Sequence, residues 1–479
     1  MLEKKPQYIT TTLPYVNASP HIGHALEFVQ ADTLARYFRI NGYEVFFNTG
    51  VDEHGQKIAE KADEAGIDRQ AYVDKYAAEF QKLKEALNLS YNNFIRTSDT
   101  SHKEAAKHIW QLCNEQGDIY KKKYKGLYCV GCEAFKTESD LVDGKCPDHH
   151  KIPEEIEEEN YFFRLSNYQE YLVNYLKEEK STTPDFRRLE LLKFVSGGLE
   201  DISISRQKSR MDWGISVPGD DEHVMYVWFD ALTNYISTLG WPTDEEGNFK
   251  KYWAEGNSLQ LAGKDQMRFQ SVIWQAMLKS AGLKATDKIF YHGFINSGGV
   301  KMSKSLGNVI SPYDIVEKYG TEATRYILLR HVHPTDDSDL TWEKMDEYYT
   351  ANLVNGLGNL TARIMKMAET HLDSPIAKPE VDKFDQEYLE ALDNYNFQAA
   401  CDYIWHKVGE LDEKIAETEP FKLIKEDKPA AQKIITELVR YLYLIGSMLN
   451  PIMPETSLVI KDAVATNRKP DNLFNRLPE

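Results

Sequence analysis

The sequence predicts an α/β protein built on a parallel sheet, which carries an insertion and is followed by a bundle of helices. Three observations lead to this fold class. The first fifty residues alternate strand, helix and strand, and the same pattern returns near residues 223–330. After about residue 350 the spacing of apolar residues is helical to the end of the chain. A chain of 479 residues has room for roughly two to four domains.

The N-terminal strand–helix–strand unit can be placed from residue types. Residues 7–13 are rich in β-branched and aromatic types and predict a strand. Residues 21–40 repeat apolar side chains every three or four positions and predict a helix, which ends at an Asn-Gly pair. Residues 44–48 predict the next strand. Strand, helix and strand in this order form the unit of a parallel sheet.

The rest of the chain divides by composition. Residues 116–209 hold three clustered cysteines, an acidic run and many aromatic residues, and we interpret them as an insertion in the α/β domain. Residues 224–229 and 288–292 predict strands of the returning α/β pattern. The stretches 384–416 and 429–449 have few glycines and amphipathic spacing, which is typical of a helix bundle.

The charge of the chain restricts its partners. A formal net charge of −18 argues against indiscriminate binding of nucleic acid, because the field of the whole molecule repels phosphate. The basic run 121–125 is either a local RNA contact or a solvated loop, and the acidic run 154–159 is typical of a solvated linker edge. No apolar stretch is long enough to span a bilayer, and the N-terminus has no apolar secretory segment. We expect a cytoplasmic protein with no membrane partner.

The first motif that carries chemistry is His21-Ile22-Gly23-His24, where a loop meets the predicted helix. Backbone N–H groups and the helix dipole favour a phosphate at such a point. Two imidazoles one turn apart can donate hydrogen bonds to phosphate oxygens. Gly23 leaves room for a nucleotide to pack against the backbone. A motif of four residues is weak by itself, and a pair of surface histidines is the alternative.

The second motif is Lys301-Met302-Ser303-Lys304-Ser305, which follows two glycines. Two lysines and flexible glycines suit a mobile loop that closes on a triphosphate. Lys304 would stabilise charge on the transferred phosphate, and Lys301 would help to hold the loop. An ordinary basic surface loop is the alternative. The two motifs lie near the start and the end of one α/β domain, whose sheet can bring them together.

A metal site is predicted in the insertion. Cys129 and Cys132 have two residues between them, as do Cys146 and His149, and thirteen residues separate the pairs. Two such pairs supply four ligands for a closed, tetrahedral, structural zinc ion. His150 could replace His149, although the spacing favours His149. Clustered cysteines in a cytosolic chain favour a metal over disulfides.

Together the two phosphate motifs resemble the signature of class I aminoacyl-tRNA synthetases. Further segments narrow the resemblance to the methionyl-tRNA synthetases, and it extends from residue 7 into the C-terminal helices. These segments are residues 13–15, 49–55, 201–206, 211–214, 226–231 and 263–265.

The resemblance implies that the protein activates L-methionine with ATP and Mg²⁺ to methionyl-adenylate and transfers it to the 3′ end of tRNA(Met). It implies catalytic roles for His21, His24, Lys301 and Lys304. Further ATP contacts are implied for Gly23, Lys264, Asp265 and Gly293, with Asp265 on the ribose and Gly293 against the adenine.

The resemblance also implies a methionine pocket. In this pocket Asp52 pairs with the α-amino group, and Arg206 orients Asp52. The pocket residues are Leu13, Tyr15, Asp52, Arg206, Trp228, Ala231 and Tyr235. Aromatic walls suit methionine, because its side chain can be selected only by shape and by soft sulfur–aromatic contact. The chain departs from the family at Gln266 and Gln270, where isoleucine and histidine are usual.

The C-terminal helices are implied to read the anticodon through Asn359, Arg363 and Phe421, with Phe421 in the place of a usual tryptophan. The zinc knuckle is implied to lie near the acceptor end of the tRNA. The predicted domains are a Rossmann-type catalytic domain in two halves, the zinc-binding insertion, a region after the second half that holds the lysine motif, and an all-α anticodon-binding domain. The halves of the catalytic domain are residues 1–115 and 210–300, and the insertion is 116–209. The region with the lysine motif is 301–354, and the anticodon-binding domain is 355–479.

Two other functions compete with this interpretation. A synthetase for leucine, isoleucine or valine would carry a larger editing insertion than this length holds. A non-catalytic tRNA-binding relative would be expected to lose the histidines or the lysines, and both sets are present. We expect a monomer, because no appended C-terminal dimerisation module is recognisable.

Overall fold

The structure is a computed structural model that describes residues 4–129, 134–136, 138–147, 150–302, 308–377, 379 and 384–478. The chain forms two compact units. The first unit consists of the residues up to Pro20, Gly42–Lys84 and Tyr91–His292. The second consists of His21–Asn41, Glu85–Ser90 and the chain from Gly293 onwards.

Most strands of the described residues are short, whereas β4 and β6 have 11 and 10 residues. In chain order they are β1 (Gln7–Thr11), β2 (Val45–Val51), β3 (Asn93–Arg96), β4 (Ile119–Cys129), β5 (Ala134–Lys136), β6 (Glu154–Phe163), β7 (Thr182–Thr183), β8 (Ile202–Ser203), β9 (Ser205–Gln207), β10 (Ser216–Val217), β11 (Asp220–Met225), β12 (Asn257–Gly263), β13 (Lys288–His292), β14 (Ile295–Ser297), β15 (Val300–Lys301) and β16 (Ser338–Asp339).

The helices concentrate towards the C-terminus. They are α1 (Ile22–Ile40), α2 (Gln56–Ala65), α3 (Arg69–Ala86), α4 (Thr100–Glu115), α5 (Gln169–Lys177), α6 (Asp185–Ser196), α7 (Val227–Ala231), α8 (Asn234–Ser237), α9 (Gln275–Ser280), α10 (Pro312–Tyr319), α11 (Thr321–Arg330), α12 (Trp342–Tyr348), α13 (Asn359–His371), α14 (Gln386–Asp393), α15 (Phe397–Thr418), α16 (Pro420–Leu423), α17 (Lys428–Met448) and α18 (Pro454–Thr466). Three π-helical segments, Glu245–Ala254, Phe269–Trp274 and Tyr349–Gly358, complete the set together with short 3₁₀ turns.

The first unit is organised around a six-stranded parallel sheet in the order β3-β2-β1-β12-β13-β7. Every neighbouring pair in this sheet is parallel, and Ile9 of β1 lies opposite Phe47 on one side and Leu259 on the other. The chain runs outward from β1 to β3 and later returns to place β12 beside β1. The order therefore reverses between β1 and β12, which is where open parallel sheets bind ligands at their carboxyl ends. The predicted parallel α/β fold is confirmed.

The local predictions for the strands of this sheet and for α1 of the second unit are mostly confirmed. Strands are observed at 7–11, 45–51 and 288–292, and α1 begins one residue after the predicted start. The predicted strand 224–229 is wrong in its second half, because β11 ends at Met225 and α7 begins at Val227. The alternating types Val, Tyr, Trp and Phe favour a strand, but Tyr226 to Ala231 make local helical hydrogen bonds instead.

The basic and acidic runs of the insertion are strands, not the loop and linker that composition predicts. Residues 121–125 belong to β4 and residues 154–159 to β6, and the two strands pair antiparallel over ten positions from Ile119–Phe163 to Tyr128–Glu154. Lys125 forms an ion pair with Glu155, and Lys121 approaches Glu159 at 3.9 Å. The prediction failed because the counter-charges come from a strand about thirty residues away along the chain.

The C-terminal part of the second unit is helical, as predicted. The stretch 384–416 contains α14 and most of α15, which are separated at Tyr395, whose φ is +58°. The stretch 429–449 corresponds to α17. Among the described residues, none of the helices is both long and apolar enough to cross a bilayer.

A buried ion pair holds the second unit together. Asp32 of α1 and Arg325 of α11 are both fully buried, and Arg325 Nη1 lies 2.8 Å from Asp32 Oδ2. The Arg325 guanidinium also donates to the carbonyl oxygens of Leu87, Pro451 and Ile452. One side chain thus connects four stretches of chain that are far apart in sequence.

The Asp32 carboxylate has further partners. Its Oδ2 accepts from Arg36 Nε at 2.7 Å, and its Oδ1 accepts from the N–H and hydroxyl of Ser90, both at 2.6 Å. Burial raises the pKa of Asp32, but the charges of Arg325 and Arg36 and the Ser90 hydrogen bond together lower it below its ordinary value. The carboxylate is therefore ionised at neutral pH and balances the buried guanidinium.

Replacing Asp32 with asparagine is expected to lower the free energy of unfolding by about 3–5 kcal/mol, because Arg325 would remain buried without its counter-ion. Urea unfolding followed by circular dichroism measures the change.

The control is Asp402→Asn, which removes the partner of Arg330 in a pair whose aspartate is 55% exposed. An exposed pair contributes about 0–1 kcal/mol, so this variant should unfold close to the wild-type midpoint. Equal losses in the two variants would contradict the central role of the Asp32–Arg325 pair.

Candidate functional site

The first motif begins α1 with an unusual cap. His21 is the N-cap residue, and its Nδ1 accepts a hydrogen bond from the Gly23 N–H at 3.1 Å. His24 Nδ1 accepts in return from the His21 N–H at 3.3 Å. This is the reciprocal arrangement of a capping box, formed here by two histidines. It satisfies backbone donors that a helix start leaves without partners.

The cap determines which ring nitrogens can donate. The His21 and His24 rings are stacked, with centroids 3.7 Å apart and planes inclined by 18°. Because each Nδ1 accepts, a neutral ring must carry its proton on Nε2. Both histidines therefore present an Nε2–H donor at a helix N-terminus, where the helix dipole also favours negative charge. This geometry can bind a phosphate group.

Gly23 is explained by packing within the motif. A Cβ on Gly23 would lie 3.0 Å from His21 Cε1 and 3.1 Å from His21 Nδ1. A side chain there would be in tight contact with the His21 ring, which would have to shift by a few tenths of an ångström. Close approach of the backbone to a nucleotide, which the sequence predicted, stays a prediction.

The segment before the second motif is a fixed hairpin. Strands β14 and β15 pair antiparallel, and Gly298 and Gly299 form the turn with φ of +65° and +74°. The Asp339 carboxylate accepts from the Gly299 N–H at 2.7 Å. That hydrogen bond and the neighbouring Lys344 lower the pKa of Asp339. The two glycines supply the left-handed conformation of a tight turn, and the predicted mobility of the loop that follows stays a prediction.

The structure joins the flank of the second motif to the first. The Ile22 N–H donates to the Ile310 carbonyl at 3.0 Å. Ile22 follows His21, and Ile310 lies five residues beyond Ser305. Lys304 lies outside the described residues, as do 303 and 305–307, and only the backbone of Lys301 is described. The first motif thus contacts the segment that follows the second motif, and both belong to the second unit.

In the first unit, several residues predicted to bind methionine or ATP follow the carboxyl ends of central strands. Leu13 and Tyr15 come after β1, Asp52 after β2, and Lys264 and Asp265 after β12. Tyr15 and Asp52 are joined as a parallel bridge, with the Asp52 N–H donating to the Pro14 carbonyl at 2.9 Å. These residues therefore gather at the reversal point of the sheet.

The Asp52 carboxylate is buried and held in place. Asp52 is 3% exposed. Its Oδ1 accepts from the Thr97 hydroxyl at 3.3 Å and from the His54 N–H at 3.4 Å. The Thr97 hydroxyl oxygen also accepts from the Glu53 N–H at 2.9 Å. A buried carboxylate that hydrogen bonds hold in place is suited to bind a cationic group.

Aromatic side chains surround the α7 segment. The half-buried Trp228 ring stacks on Phe269, with centroids 3.9 Å apart and planes inclined by 18°. Ala231 and Tyr235 are buried on the following turns. The stack fixes the Trp228 ring, and its partner Phe269 was not among the predicted site residues.

Gln270 contacts a predicted pocket residue. Its Nε2 donates to the Tyr235 hydroxyl at 2.6 Å, and Gln270 is 1% exposed. The backbone carbonyl oxygen of Gln270 accepts from Gln275 Nε2 at 2.8 Å. Gln270 thus fixes the Tyr235 hydroxyl from inside the protein. Gln266 instead donates to Asp265 Oδ2 at 2.9 Å.

Arg206 lies at the edge of the same region. It donates to the Ser203 hydroxyl at 3.1 Å and to the Ser205 carbonyl at 2.7 Å. Its guanidinium also lies over the Tyr226 and Tyr128 rings, at 4.6 and 5.3 Å from their centroids. These contacts hold Arg206 as a buried cation. The predicted pairing of Arg206 with Asp52 stays a prediction.

Gly293 packs against backbone of its own unit. A Cβ at Gly293 would lie 2.2 Å from the backbone of Asp336 and 2.7 Å from the Asp337 nitrogen. Any larger residue would displace that segment. This contact explains the glycine without reference to adenine, for which the contact stays a prediction.

Two of the four predicted zinc ligands lie in the described part of the chain. Cys129 ends β4, Cys146 follows a short turn, and both are buried. The Cys146 carbonyl accepts from the His150 N–H at 2.8 Å. Cys132 and His149 lie outside the described residues. Within the described ranges no group of three metal-ligating side chains is found, and the zinc prediction is not tested by this.

The predicted anticodon residues are accessible. Asn359 is exposed at the start of α13, and Phe421 of α16 is 45% exposed. Arg363 of α13 forms a surface ion pair with Asp412 of α15 at 2.5 Å. Asn359 and Arg363 lie one turn apart on α13.

Several residues of this region were not predicted. Asp230 of α7 accepts hydrogen bonds from the His54 and His102 rings, and Thr97 contacts Asp52. His54 and Asp230 lie inside the segments that carry the family resemblance, but those segments give no role to them. Their pairing spans 176 residues of sequence, so no local pattern could indicate it.

The chain is similar to known proteins over most of its length. A family model described as "tRNA synthetases class I (M)" matches residues 7–155 and 148–365. The chain is 42% identical to a methionine–tRNA ligase of Caldanaerobacter subterraneus subsp. tengcongensis, over 95% of this chain and 73% of that protein. It is 40% identical to a methionine–tRNA ligase of Thermotoga maritima, over 97% of this chain and 76% of that protein.

A solved structure extends the similarity to three dimensions. Mycobacterium tuberculosis methionyl-tRNA synthetase in complex with methionyl-adenylate superposes with a TM-score of 0.88 at 38% identity. The match covers 96% of this chain and 93% of that protein.

The histidine cap can be tested apart from any activity. His21→Asn keeps an N-cap side chain that can accept from the helix N–H groups, whereas His21→Ala removes it. We expect the alanine variant to be less stable at the start of α1 by about 1 kcal/mol. Hydrogen exchange of the Gly23 and His24 amides, measured by NMR, should be faster in the alanine variant and near wild type in the asparagine variant. Equal exchange in the two variants would contradict the cap.

Proposed function

We infer that this chain, which belongs to the methionine–tRNA ligases of the class I tRNA synthetase family, activates methionine with ATP and transfers it to tRNA. In the first step the methionine carboxylate attacks the α-phosphorus of ATP and pyrophosphate leaves. In the second step a ribose hydroxyl of the terminal adenosine of the tRNA attacks the methionyl carbonyl and AMP leaves. Positioning and electrostatics carry both steps, so no covalent enzyme intermediate is needed.

The observation that carries the proposal is the buried Asp52 carboxylate at the reversal point of the parallel sheet. Asp52 binds the α-ammonium group of methionine, and its Oδ1 is held by the Thr97 hydroxyl and the His54 N–H. A charge-assisted hydrogen bond in a dry site gives orientation as well as affinity.

The methionine side chain lies against aromatic surfaces. Leu13, Tyr15, Trp228, Ala231 and Tyr235 form its pocket, and the Trp228–Phe269 stack supports one wall. Thioether sulfur makes favourable contacts with aromatic rings, and a rigid ring discriminates by shape. Gln270 holds the Tyr235 hydroxyl, so the end of the pocket is polar without being charged.

The phosphates of ATP, which enters with Mg²⁺, bind at the start of α1. The Nε2–H donors of His21 and His24 face the charge that develops on the phosphate as the adenylate forms. Lys301 and Lys304 supply positive charge from the second motif. Lys264 contacts the phosphates, Asp265 binds the ribose, and Gly293 packs on the adenine.

The tRNA is read at two further places. Asn359, Arg363 and Phe421 contact the anticodon, and the exposed Phe421 ring can stack on a base. Arg363 exchanges its surface partner Asp412 for RNA at little cost, because an exposed ion pair contributes little. Action in the cytoplasm as a monomer stays a prediction.

Cys129, Cys132, Cys146 and His149 hold one structural zinc ion. The two described cysteines fit this role, since both are buried and neither is in a disulfide. Four protein ligands close the coordination sphere, so the ion stabilises the fold of the insertion and takes no part in chemistry.

The proposed activity predicts methionine-dependent exchange of pyrophosphate into ATP. Lys304→Ala should reduce kcat by roughly 10²–10³-fold, the usual effect of removing a group that stabilises transition-state charge. Leucine, isoleucine and valine should support little exchange compared with methionine. Exchange of ³²P-labelled pyrophosphate with each amino acid measures both expectations.

The matched control is Lys366→Ala, which removes a lysine paired on the surface with Glu369. It should exchange at the wild-type rate. Absence of methionine-dependent exchange in zinc-replete wild-type protein would refute the activity. Unchanged exchange in Lys304→Ala would refute only the assignment of the second motif.

The zinc assignment predicts one zinc ion per chain in protein purified without chelators. Cys146→Ser should lose the metal, because a hydroxyl replaces a thiolate ligand. Cys113→Ser is the control, since burial raises the pKa of the Cys113 thiol to about 12 and keeps it protonated. Inductively coupled plasma mass spectrometry measures the content. Equal zinc in the two variants would refute the ligand assignment.

A further inference from the structure

A buried network of one carboxylate and two imidazoles lies in the first unit. Asp230 of α7 is fully buried. Its Oδ2 lies 2.7 Å from His54 Nδ1, and its Oδ1 lies 2.8 Å from His102 Nε2. The His102 Nδ1 lies 2.9 Å from the Ser237 hydroxyl of α8. Each of these side chains is at most 6% exposed.

The directions of the hydrogen bonds follow from the charge of Asp230. Burial raises the pKa of Asp230, but the two imidazoles outweigh burial and lower it to about 2. An ionised carboxylate can only accept, so both ring nitrogens that face it must donate. His102 Nδ1 then accepts from the Ser237 hydroxyl if the ring is neutral. The network fixes the tautomer and the orientation of His54.

Ser237, His102 and Asp230 are hydrogen-bonded in the order of a hydrolytic triad, but the serine is too buried for a substrate to reach it. His102 is fully buried and Ser237 is 6% exposed. The Ser237 hydroxyl also lies 3.5 Å from the Asn234 carbonyl in its own turn. A nucleophile must reach a substrate carbonyl, and this hydroxyl faces the interior. The network therefore holds structure in place.

The elements joined by Asp230 both belong to the proposed methionine site. His54 lies two residues after Asp52, and its N–H donates to the Asp52 carboxylate. Asp230 lies between Trp228 and Ala231 on α7. His54 and Asp230 are 176 residues apart in sequence, and their hydrogen bond joins the loop after Asp52 directly to the helix that carries Trp228.

We propose that His54 and Asp230 are positioning residues for methionine: their hydrogen bond fixes the Asp52 carboxylate relative to the Trp228 wall. The inference rests on the proposed function. Neither side chain touches the substrate. Because the ring of His54 is held, its backbone N–H is held, and that N–H orients the carboxylate that binds the ammonium group. Loss of the bond should weaken methionine binding while ATP binding is unaffected.

Two amide substitutions at His54 separate the hydrogen bond from simple packing. The amide nitrogen of asparagine lies near the place of Nδ1, whereas that of glutamine lies near the place of Nε2. Only His54→Asn can therefore keep the donor to Asp230. We expect His54→Gln to raise the KM for methionine at least tenfold, with kcat reduced less than threefold and the KM for ATP within twofold. His54→Asn should stay within threefold of wild type for all three constants.

The control is His223→Gln. His223 is as buried as His54, at 4% exposed, and its Nδ1 lies 3.0 Å from Asp220 in the same unit. It should leave the KM for methionine within twofold of wild type, even where thermal unfolding shows a comparable loss of stability. Asp230→Asn is the second variant, should His54→Gln fail to fold. It keeps the size of the side chain and removes the charge, and we expect a three- to tenfold rise in the KM for methionine.

Pyrophosphate exchange at varied methionine and ATP concentrations measures these constants. Equal methionine KM values for His54→Gln and His54→Asn would overturn the proposal, as would equal effects of His54→Gln and His223→Gln. A wild-type protein without methionine-dependent exchange would refute the proposed function instead. An active wild type with unaffected His54 and Asp230 variants would refute only this inference.

Discussion

The Asp32–Arg325 pair is the interaction on which the second unit depends. Arg325 is buried and donates to the backbone carbonyls of residues 87, 451 and 452. Each of these carbonyls needs a hydrogen-bond donor, so an apolar side chain could not replace Arg325. A guanidinium can supply several donors at once in a fixed fork. Its charge then requires a buried anion, and Asp32 on α1 provides it. The helix that begins after His21 is thereby fastened to the C-terminal part of its own unit.

The first unit relies on the same principle with different chemistry. Asp230 is again a buried carboxylate whose oxygens are both engaged, but its partners are two imidazoles rather than a guanidinium. Imidazoles are compact, and each donates one ring N–H to the carboxylate. In each unit a single buried acid thereby joins a helix to residues that are far away in the sequence.

The sequence predicted the parts of the fold that depend on local pattern. The residue types of β1 and the spacing of apolar residues in α1 and in the helices after residue 384 are sufficient to assign these elements. The runs 121–125 and 154–159 could not be assigned from composition, since each is stable as a strand only beside the other. The prediction for residues 224–229 was wrong although these residues have a clear local preference. Its residues favour a strand, and helical hydrogen bonds of α7 overrode that preference.

The candidate site was predictable in part. Asp52, Trp228 and the two histidines of the first motif came from motif resemblance, and the structure places Asp52 and Trp228 beside previously unassigned residues. Thr97, Asp230 and Gln270 have no signal of their own, because their roles are created by partners 35 to 176 residues away. A motif names the groups that touch a substrate. The groups that hold them become visible only when the chain is folded.

Backbone hydrogen bonds anchor the described chain on both sides of the second motif. Before the motif, the Gly299 N–H donates to the Asp339 carboxylate, and after it the Ile310 carbonyl accepts from the Ile22 N–H. All four residues belong to the second unit. The segment that follows the second motif is therefore joined through the backbone to the start of α1, where the first motif lies.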